Sequence, residues 1–171
     1  AQESEQKFEI TATLEQLYGA EQAEKFRDIQ KPDASITWQV YRPDHPGDQP
    51  PGLLVYVSPT RSGVMDHRWA KVLDEYNLVY IAADRSGNRV PVTRRMVMAT
   101  SSIYAAGRHL EIDENRIYVS GFSGGGRVAS FLSRQYPTVF SGGIFICGVD
   151  FWNEDVIRDM ERVLSNRYVF V

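Results

Sequence analysis

From residue 52 onward, short apolar runs alternate with stretches whose apolar residues recur at helical spacing. Four of the runs are apolar at nearly every position, which is typical of strands buried on both faces of a parallel sheet. A further run, YVFV, ends the sequence, and an earlier stretch alternates between apolar and polar residues and predicts a half-exposed strand. The predicted strands are 35–43, 52–59, 78–84, 116–121, 142–148 and 168–171.

The stretches between these strands each carry one apolar stripe and predict four helices. The first is capped by Asp66, the second begins near Pro91, the third spans residues 123–136 before Pro137, and the fourth is capped by Asn153. The stripes comprise Trp69, Val72, Leu73 and Tyr76; Met96, Ala99, Ile103, Ala106 and Leu110; Val128, Phe131, Leu132 and Tyr136; and Val156, Ile157, Met160, Val163 and Leu164.

Alternation of strands and helices predicts an α/β fold with a mostly parallel sheet and helices on both of its faces. We expect one domain over residues 1–171, with its core in residues 35–171 and a peripheral or edge segment in residues 1–34. Within that segment, KFEITATL predicts an edge strand and GAEQAEKFRDIQ a short solvated helix. Ligands of such sheets bind beyond the carboxyl ends of the strands, so the loops there are the places to look for chemistry.

Composition narrows the classes of function. The net charge is −3 and the basic residues are scattered, so nucleic acid is not an expected partner. No apolar run approaches the roughly 20 residues that span a bilayer, and we expect no membrane partner. The single cysteine, Cys147, excludes an internal disulfide and a cysteine metal cluster, and its apolar setting predicts a small buried packing residue. The sequence predicts no metal and no cofactor.

The beginning of the chain bears on its location. The sequence opens AQESEQ without a methionine, as a chain does after removal of a signal peptide. We therefore expect a secreted or periplasmic protein.

The stretch GFSGGGRVAS, residues 121–130, nearly satisfies three motifs. A phosphate-binding loop requires two glycines five residues apart followed by Lys and then Ser or Thr. Gly121 and Gly126 have that spacing, but Arg127 and Val128 follow them. The phosphate-binding chemistry is therefore missing.

A dinucleotide-binding fingerprint is the second possibility. Gly124, Gly126 and Ala129 fit G-x-G-x-x-A, and Asp150 ends the next strand where a ribose-binding acid would lie. The first glycine of that fingerprint should make the turn directly after the strand, and Gly121 holds that place instead. The fit is therefore partial.

The third motif, G-x-S-x-G, is filled by Gly121, Ser123 and Gly125 and lies between a predicted strand and a predicted helix. In this motif the serine occupies a strained turn, and its neighbours lack side chains that would clash there. The same turn places Ser123 at a helix N-terminus, whose partial positive charge favours an oxyanion. The pattern indicates a serine nucleophile.

The segment RIYVSGFSGGGRVASFLSRQYPTVFSGGIFICG, residues 116–148, resembles the nucleophile region of α/β-hydrolases. It is most similar to secreted bacterial esterases of the polyhydroxybutyrate-depolymerase and feruloyl-esterase kind, and the likeness extends more loosely over residues 52–171. The resemblance implies that Ser123 attacks a carboxylic ester in a small-molecule or polymeric substrate. It also implies that the backbone N–H of Gly124 is one oxyanion donor.

The resemblance places the second oxyanion donor in the loop after the first buried strand, where this chain has SPTR, residues 58–61. Pro59 has no N–H, so Thr60 is the expected donor and Arg61 the next. Arg61 and Phe122 are further candidates for substrate binding. A plain polar turn is the alternative interpretation of this loop.

A base and an acid are still needed to activate the serine. The chain has three histidines, His45, His67 and His109, and all precede Ser123, whereas the resembling family orders its triad Ser, acid, His. We expect these three to be surface or capping residues. The family's acid follows the strand equivalent to YVFV, so we expect acid and histidine beyond residue 171 or on a second chain, with Asp150 as a candidate acid.

The leading hypothesis is a serine esterase whose apolar C-terminal strand marks an incomplete hydrolase domain. An inactive or incomplete relative that acts as a binding protein is the main alternative. A peptidase on the same fold and a dinucleotide-binding protein are the others.

Overall fold

The computed structural model describes residues 6–44, 48–150, 157 and 159–171. In this part of the chain, seven strands form one sheet in the order β1-β2-β4-β3-β5-β6-β7. The strands are β1 Lys7–Ala12, β2 Ile36–Tyr41, β3 Gly52–Val57, β4 Leu78–Ala83, β5 Ile117–Phe122, β6 Gly142–Ile146 and β7 Arg167–Phe170. The helices are α1 Leu14–Tyr18, α2 Ala20–Glu24, α3 Ala70–Glu75, α4 Val92–Gly107, α5 Gly124–Gln135 and α6 Met160–Ser165.

The sheet is mostly parallel, as predicted. Strands β3 to β7 pair in parallel, whereas β1 and β2 form an antiparallel pair that joins the sheet through β4. The two central strands, β3 and β5, end side by side, with Val57 opposite Gly121. This register brings the loop after β3 next to the loop after β5.

Each face of the sheet has its own apolar layer. In β3, Leu53, Val55 and Val57 belong to a large core cluster that also contains residues of α4 and α5. Leu54 faces the other side, in a smaller cluster with Leu73 of α3. Helices therefore cover both faces, and the period of two along β3 explains why this strand is apolar throughout.

The N-terminal segment contains the predicted edge strand, β1, and the predicted short helix, α2. It also contains α1, which the apolar pattern did not predict. Thr13 caps α1 by a reciprocal arrangement, in which its hydroxyl accepts from the N–H of Gln16 at 3.1 Å and its own N–H donates to the Gln16 side chain at 2.8 Å. The T-x-x-Q spacing is the available sequence signal for this helix.

Asp66 caps the helical segment it was predicted to cap, but the stripe behind it was half wrong. The Asp66 carboxylate accepts from the N–H of Arg68 at 3.0 Å and begins a short 3₁₀ turn that leads into α3. Leu73 is fully buried, whereas Val72 is 48% and Tyr76 59% exposed. Helix α3 has only six residues, so few of its side chains can face the core. Tyr76 lies beyond the end of the helix.

Helix α5 matches its predicted span to within one residue at each end, whereas α4 ends at Gly107, three residues before Leu110, the last residue of its predicted stripe. In α5, Val128 and Leu132 are buried as predicted, but Tyr136 is exposed because the helix ends at Gln135. In α4, Ala99 and Ala106 are buried on the predicted stripe.

The last helix, α6, begins at Met160 after Asp159, whose carboxylate accepts from the N–H of Arg162 at 2.9 Å. Val163 is buried, whereas Met160 and Leu164 are exposed, so only one of these three predicted core residues was right. The predicted cap Asn153 and the predicted stripe residue Val156 lie outside the described residues.

No helix in the described part of the chain combines the length and the apolar composition that crossing a bilayer requires.

The contrast between neighbouring residues of α3 is testable. We expect Leu73→Ala to lower the free energy of unfolding by about 2–5 kcal/mol, because it leaves a cavity in the smaller core cluster. The matched change Val72→Ala removes an exposed side chain and should stay within about 0.5 kcal/mol of the parent. Urea denaturation of both variants measures this, and equal losses would contradict the described orientation of α3.

Candidate active site

Ser123 is the single residue between the last residue of β5 and the first residue of α5. Its φ of 54° and ψ of −121° lie in a region that residues with a side chain rarely adopt. Such a conformation stores roughly 1–3 kcal/mol of strain and persists only where the surroundings impose it. Its N–H donates to the carbonyl of Ile146 at 2.7 Å, and its carbonyl accepts from the N–H of Arg127 at 3.2 Å. Backbone hydrogen bonds to β6 and α5 thus hold the strained turn.

Glycines make this turn possible because backbone passes close to backbone on three sides. A Cβ on Gly125 would lie 1.9 Å from the carbonyl oxygen of Val57, and one on Gly121 would lie 2.4 Å from that of Gly125. A Cβ on Gly148, after β6, would lie 2.0 Å from the carbonyl oxygen of Ser123. The G-x-S-x-G spacing therefore has a steric cause in this chain.

A cavity of about 590 Å³ lies in front of the turn. It brings together Ser123, Gly124 and Asp150, three of the residues that the sequence proposed for the site. The remaining proposed residues, Thr60, Arg61 and Phe122, do not line it. Its other lining residues are Asn88, Val92, Arg95, Arg127, Val128, Phe131 and Cys147.

The N–H of Gly124 is available as a donor. Gly124 is the first residue of α5, where backbone N–H groups have no partner within the helix, and no described carbonyl accepts this one. The partial positive charge of the helix N-terminus acts at the same point. Gly124 can therefore stabilise an oxyanion on the Ser123 side of the cavity.

The two predicted candidates for the second oxyanion donor, Thr60 and Arg61, differ in whether their N–H groups are already hydrogen-bonded. The N–H of Thr60 donates to the hydroxyl of the buried Ser58 at 3.2 Å, so this donor is already paired. The N–H of Arg61 has no acceptor within the described residues. The loop itself is fixed, because Pro59 accepts from the N–H of Asn88 at 3.0 Å and Arg61 from that of Arg85 at 2.6 Å.

Arg95 is a site residue that sequence reasoning missed. It lies in the first turn of α4 and is only 3% exposed. Its Nη1 donates to the carbonyl of Gly124 at 3.2 Å and its Nη2 to the carbonyl of Ser58 at 3.0 Å. Burial lowers the pKa of its guanidinium. An arginine next to an apolar stripe is usually solvated, and no pattern in the sequence marks this one as buried.

Two residues after β6 border the cavity. Asp150 is exposed, and its N–H donates to the hydroxyl of Ser130 at 2.7 Å. Cys147 is also exposed, so the prediction of a buried packing residue was wrong. Cys147 is the residue directly after β6, at the carboxyl end of that strand, and its φ is 54°.

Neither described histidine lines the cavity. His67 lies in the short turn before α3, with 89% of its side chain exposed and its Nδ1 3.6 Å from Asp66. His109 is exposed just after α4, and His45 lies outside the described residues. Among the described residues, no three His, Cys, Asp or Glu side chains cluster as metal ligands would.

No family model matches the chain, and no curated protein matches it in sequence. Solved structures do match its fold. One is a thermostable esterase, with a TM-score of 0.59 and 20% identity over 80% of this chain. Another is an acetyl xylan esterase from Aspergillus awamori, with a TM-score of 0.54 and 16% identity over 77% of this chain. The chain has the α/β-hydrolase fold.

A puromycin hydrolase has the same α/β-hydrolase fold, with a TM-score of 0.52 and 16% identity over 66% of this chain. The chain spans 42% of the thermostable esterase, 61% of the acetyl xylan esterase and 20% of the puromycin hydrolase. The resemblance drawn from residues 116–148 is thus confirmed as a likeness of fold. Identities this low do not assign an activity.

The close approach at Gly125 gives a test of the turn. We expect Gly125→Ala to lower the free energy of unfolding by about 3 kcal/mol or more, because its methyl group would overlap the Val57 carbonyl and both partners are backbone. Gly107→Ala is the matched control, since its Cβ would meet nothing within 4 Å, and it should be neutral or stabilising. Thermal and urea unfolding measure both, and a fully stable Gly125→Ala protein would refute the described packing of α5 on β3.

Proposed function

We propose that the protein is a serine hydrolase that cleaves carboxylic esters through an acyl-enzyme intermediate, with Ser123 as nucleophile. The observation that carries the proposal is the strained conformation of Ser123 between β5 and α5, at the wall of a cavity. A serine that served only to cap α5 would have no need of a positive φ, since serine caps adopt extended backbone. The esterases among the similar structures support an ester substrate.

The residues divide the chemistry as follows. The Ser123 oxygen attacks the ester carbonyl while a base removes its proton, and the carbonyl oxygen becomes an oxyanion that accepts from the N–H of Gly124. The second donor is the N–H of Arg61, since the N–H of Thr60 is already paired with the Ser58 hydroxyl. Collapse expels the alcohol, which takes the proton from the base, and water then releases the acid and regenerates the serine.

Asp150 is our candidate for the acid that orients this base. It lines the same cavity as Ser123 and is exposed, and its backbone is fixed through Ser130. If Asp150 orients the base, Asp150→Asn should lower kcat by about 10²-fold or more while leaving KM nearly unchanged. Ester hydrolysis by the intact protein measures this, and an unchanged kcat would remove Asp150 from the mechanism.

A binding protein without hydrolase activity is the second candidate function. The observation in its favour is that neither described histidine lines the cavity, so a base for Ser123 is not identified among the described residues. Such a protein would retain a ligand in the cavity without forming an acyl-enzyme.

The other two alternatives have less support. A dinucleotide site would need Gly124 to form the turn after the strand, but Gly124 and Gly126 both lie within α5. A peptidase would use the same nucleophile and oxyanion donors, and is distinguished from an esterase only by comparing amide and ester substrates.

Labelling by a fluorophosphonate separates an active serine from an inactive one. We expect the intact protein to be labelled at Ser123 and Ser123→Ala to lose both labelling and ester hydrolysis while remaining folded. We also expect Ser123→Gly to be more stable than Ser123→Ala by roughly 1 kcal/mol, since glycine relieves the positive φ.

A protein that is folded but not labelled, beside a hydrolase that is labelled under the same conditions, would favour the binding protein instead. Equal stability of the two Ser123 variants would contradict the strained turn.

A further inference from the structure

We propose that Arg95 is a positioning residue that holds the two sides of the oxyanion site at a fixed separation and supplies positive charge behind it. The inference rests on the proposed hydrolase function, because it concerns the oxyanion of that reaction. Arg95 lies outside both the G-x-S-x-G motif and the loop after β3, so the inference adds a residue from a third element to the site.

The geometry is that of a bridge between two loops. One nitrogen of the guanidinium donates to the carbonyl of Gly124 at 3.2 Å, at the start of α5. Another donates to the carbonyl of Ser58 at 3.0 Å, directly after β3. These are the two loops from which the oxyanion donors come, and Arg95 itself belongs to a third element, α4. One planar side chain therefore fixes the distance between them.

The identity of the bridged groups makes this distance matter. The carbonyl that Arg95 holds and the N–H that would donate to the oxyanion lie on either side of the Gly124 Cα, and Gly124 is the first residue of α5, so fixing the carbonyl restricts the orientation of the N–H through the helical backbone. On the other loop, the Ser58 hydroxyl accepts from the N–H of Thr60 at 3.2 Å, so the position of Ser58 also constrains the residues that lead to the Arg61 N–H. Donors of an oxyanion site stabilise the transition state only when they are held close to their productive positions before reaction.

The electrostatic setting points the same way. Arg95 is buried and lines the cavity, and within the described residues no carboxylate pairs with it. Its Nε has no hydrogen-bond partner there. An arginine keeps its proton in proteins, and the hydrogen-bond partners of this one among the described residues are two neutral carbonyl groups. A positive charge beside the cavity that no described carboxylate pairs directly favours the negative charge that develops during ester cleavage.

A bridge of this kind could also serve stability alone, so the experiment must separate the two roles. Three variants of the intact protein suffice: Arg95→Met, which removes bridge and charge; Arg95→Lys, which keeps the charge but loses the planar fork; and Arg94→Met as control. Arg94 is the adjacent residue of α4, is exposed, and donates from its Nε to the Gln30 side chain at 2.8 Å.

Two measurements are made on each variant. Hydrogen–deuterium exchange of the peptides covering residues 58–63 and 123–127 reports the two loops. Steady-state hydrolysis of a p-nitrophenyl ester, together with the rate of fluorophosphonate labelling, reports the oxyanion site.

For Arg95→Met we expect faster exchange in both peptides, a fall in kcat and in labelling rate of about 10²-fold, and KM within about threefold of the parent. Arg95→Lys should lie between, with a loss of about tenfold, and Arg94→Met should match the parent in both measurements. A purely structural role would lower the amount of folded protein without changing kcat per labelled serine.

Failure of this inference is distinguishable from failure of the proposed function. If the parent protein neither hydrolyses esters nor labels, the proposed function falls and the inference with it. If the parent is active but Arg95→Met keeps its kcat, or exchanges no faster in either peptide, only the role of Arg95 is overturned.

Discussion

The closest backbone approach in the site, between the first turn of α5 and the carbonyl of Val57 in β3, is the constraint on which the rest depends. It holds the start of α5 against the centre of the sheet, so the chain must reverse within one residue after β5. That residue is Ser123, and its positive φ follows from the approach. The cavity, the free N–H of Gly124 and the helix dipole all have their positions fixed by the same contact.

The order of the strands explains why the candidate site contains residues from distant parts of the sequence. Strands β3 and β5 are neighbours in the sheet, although α3, β4 and α4 lie between them in the chain. Their carboxyl ends therefore place the Ser58 loop beside the Ser123 turn, as parallel sheets place ligand sites in general. Helix α4 enters between the two loops, and its first buried side chain, Arg95, meets both. The strand order brings the two loops close together, and the two hydrogen bonds of Arg95 fix the distance between them.

Much of this fold could be predicted from the sequence, because the central strands are buried on both faces and therefore appear as continuous apolar runs. The motif around Ser123 was equally readable, since its glycines have a steric cause. Short elements were less predictable: Val72 and Leu73 are adjacent apolar residues of a six-residue helix, and only packing decides which one is buried. Arg95 could not be found, because its partners are two carbonyls, which no sequence pattern records. Cys147 was predicted to be buried because the apolar pattern extends the strand to residue 148, whereas β6 ends at Ile146.

The strained turn is supported from β6 as well as from β3. Ile146 accepts the N–H of Ser123, and Gly148 passes so near the Ser123 carbonyl that it can carry no side chain. The segment directly after β6 therefore helps to hold the nucleophile in position, and its backbone conformation is constrained by these contacts. A second stretch beside the cavity, from Arg89 to Val92, carries mostly exposed side chains, and the backbone just before it is held by the hydrogen bond from Asn88 to Pro59. Variation that adapts such a protein to new ligands would therefore concentrate on that side, and a designed library would do best to randomise it and leave residues 146–148 unchanged.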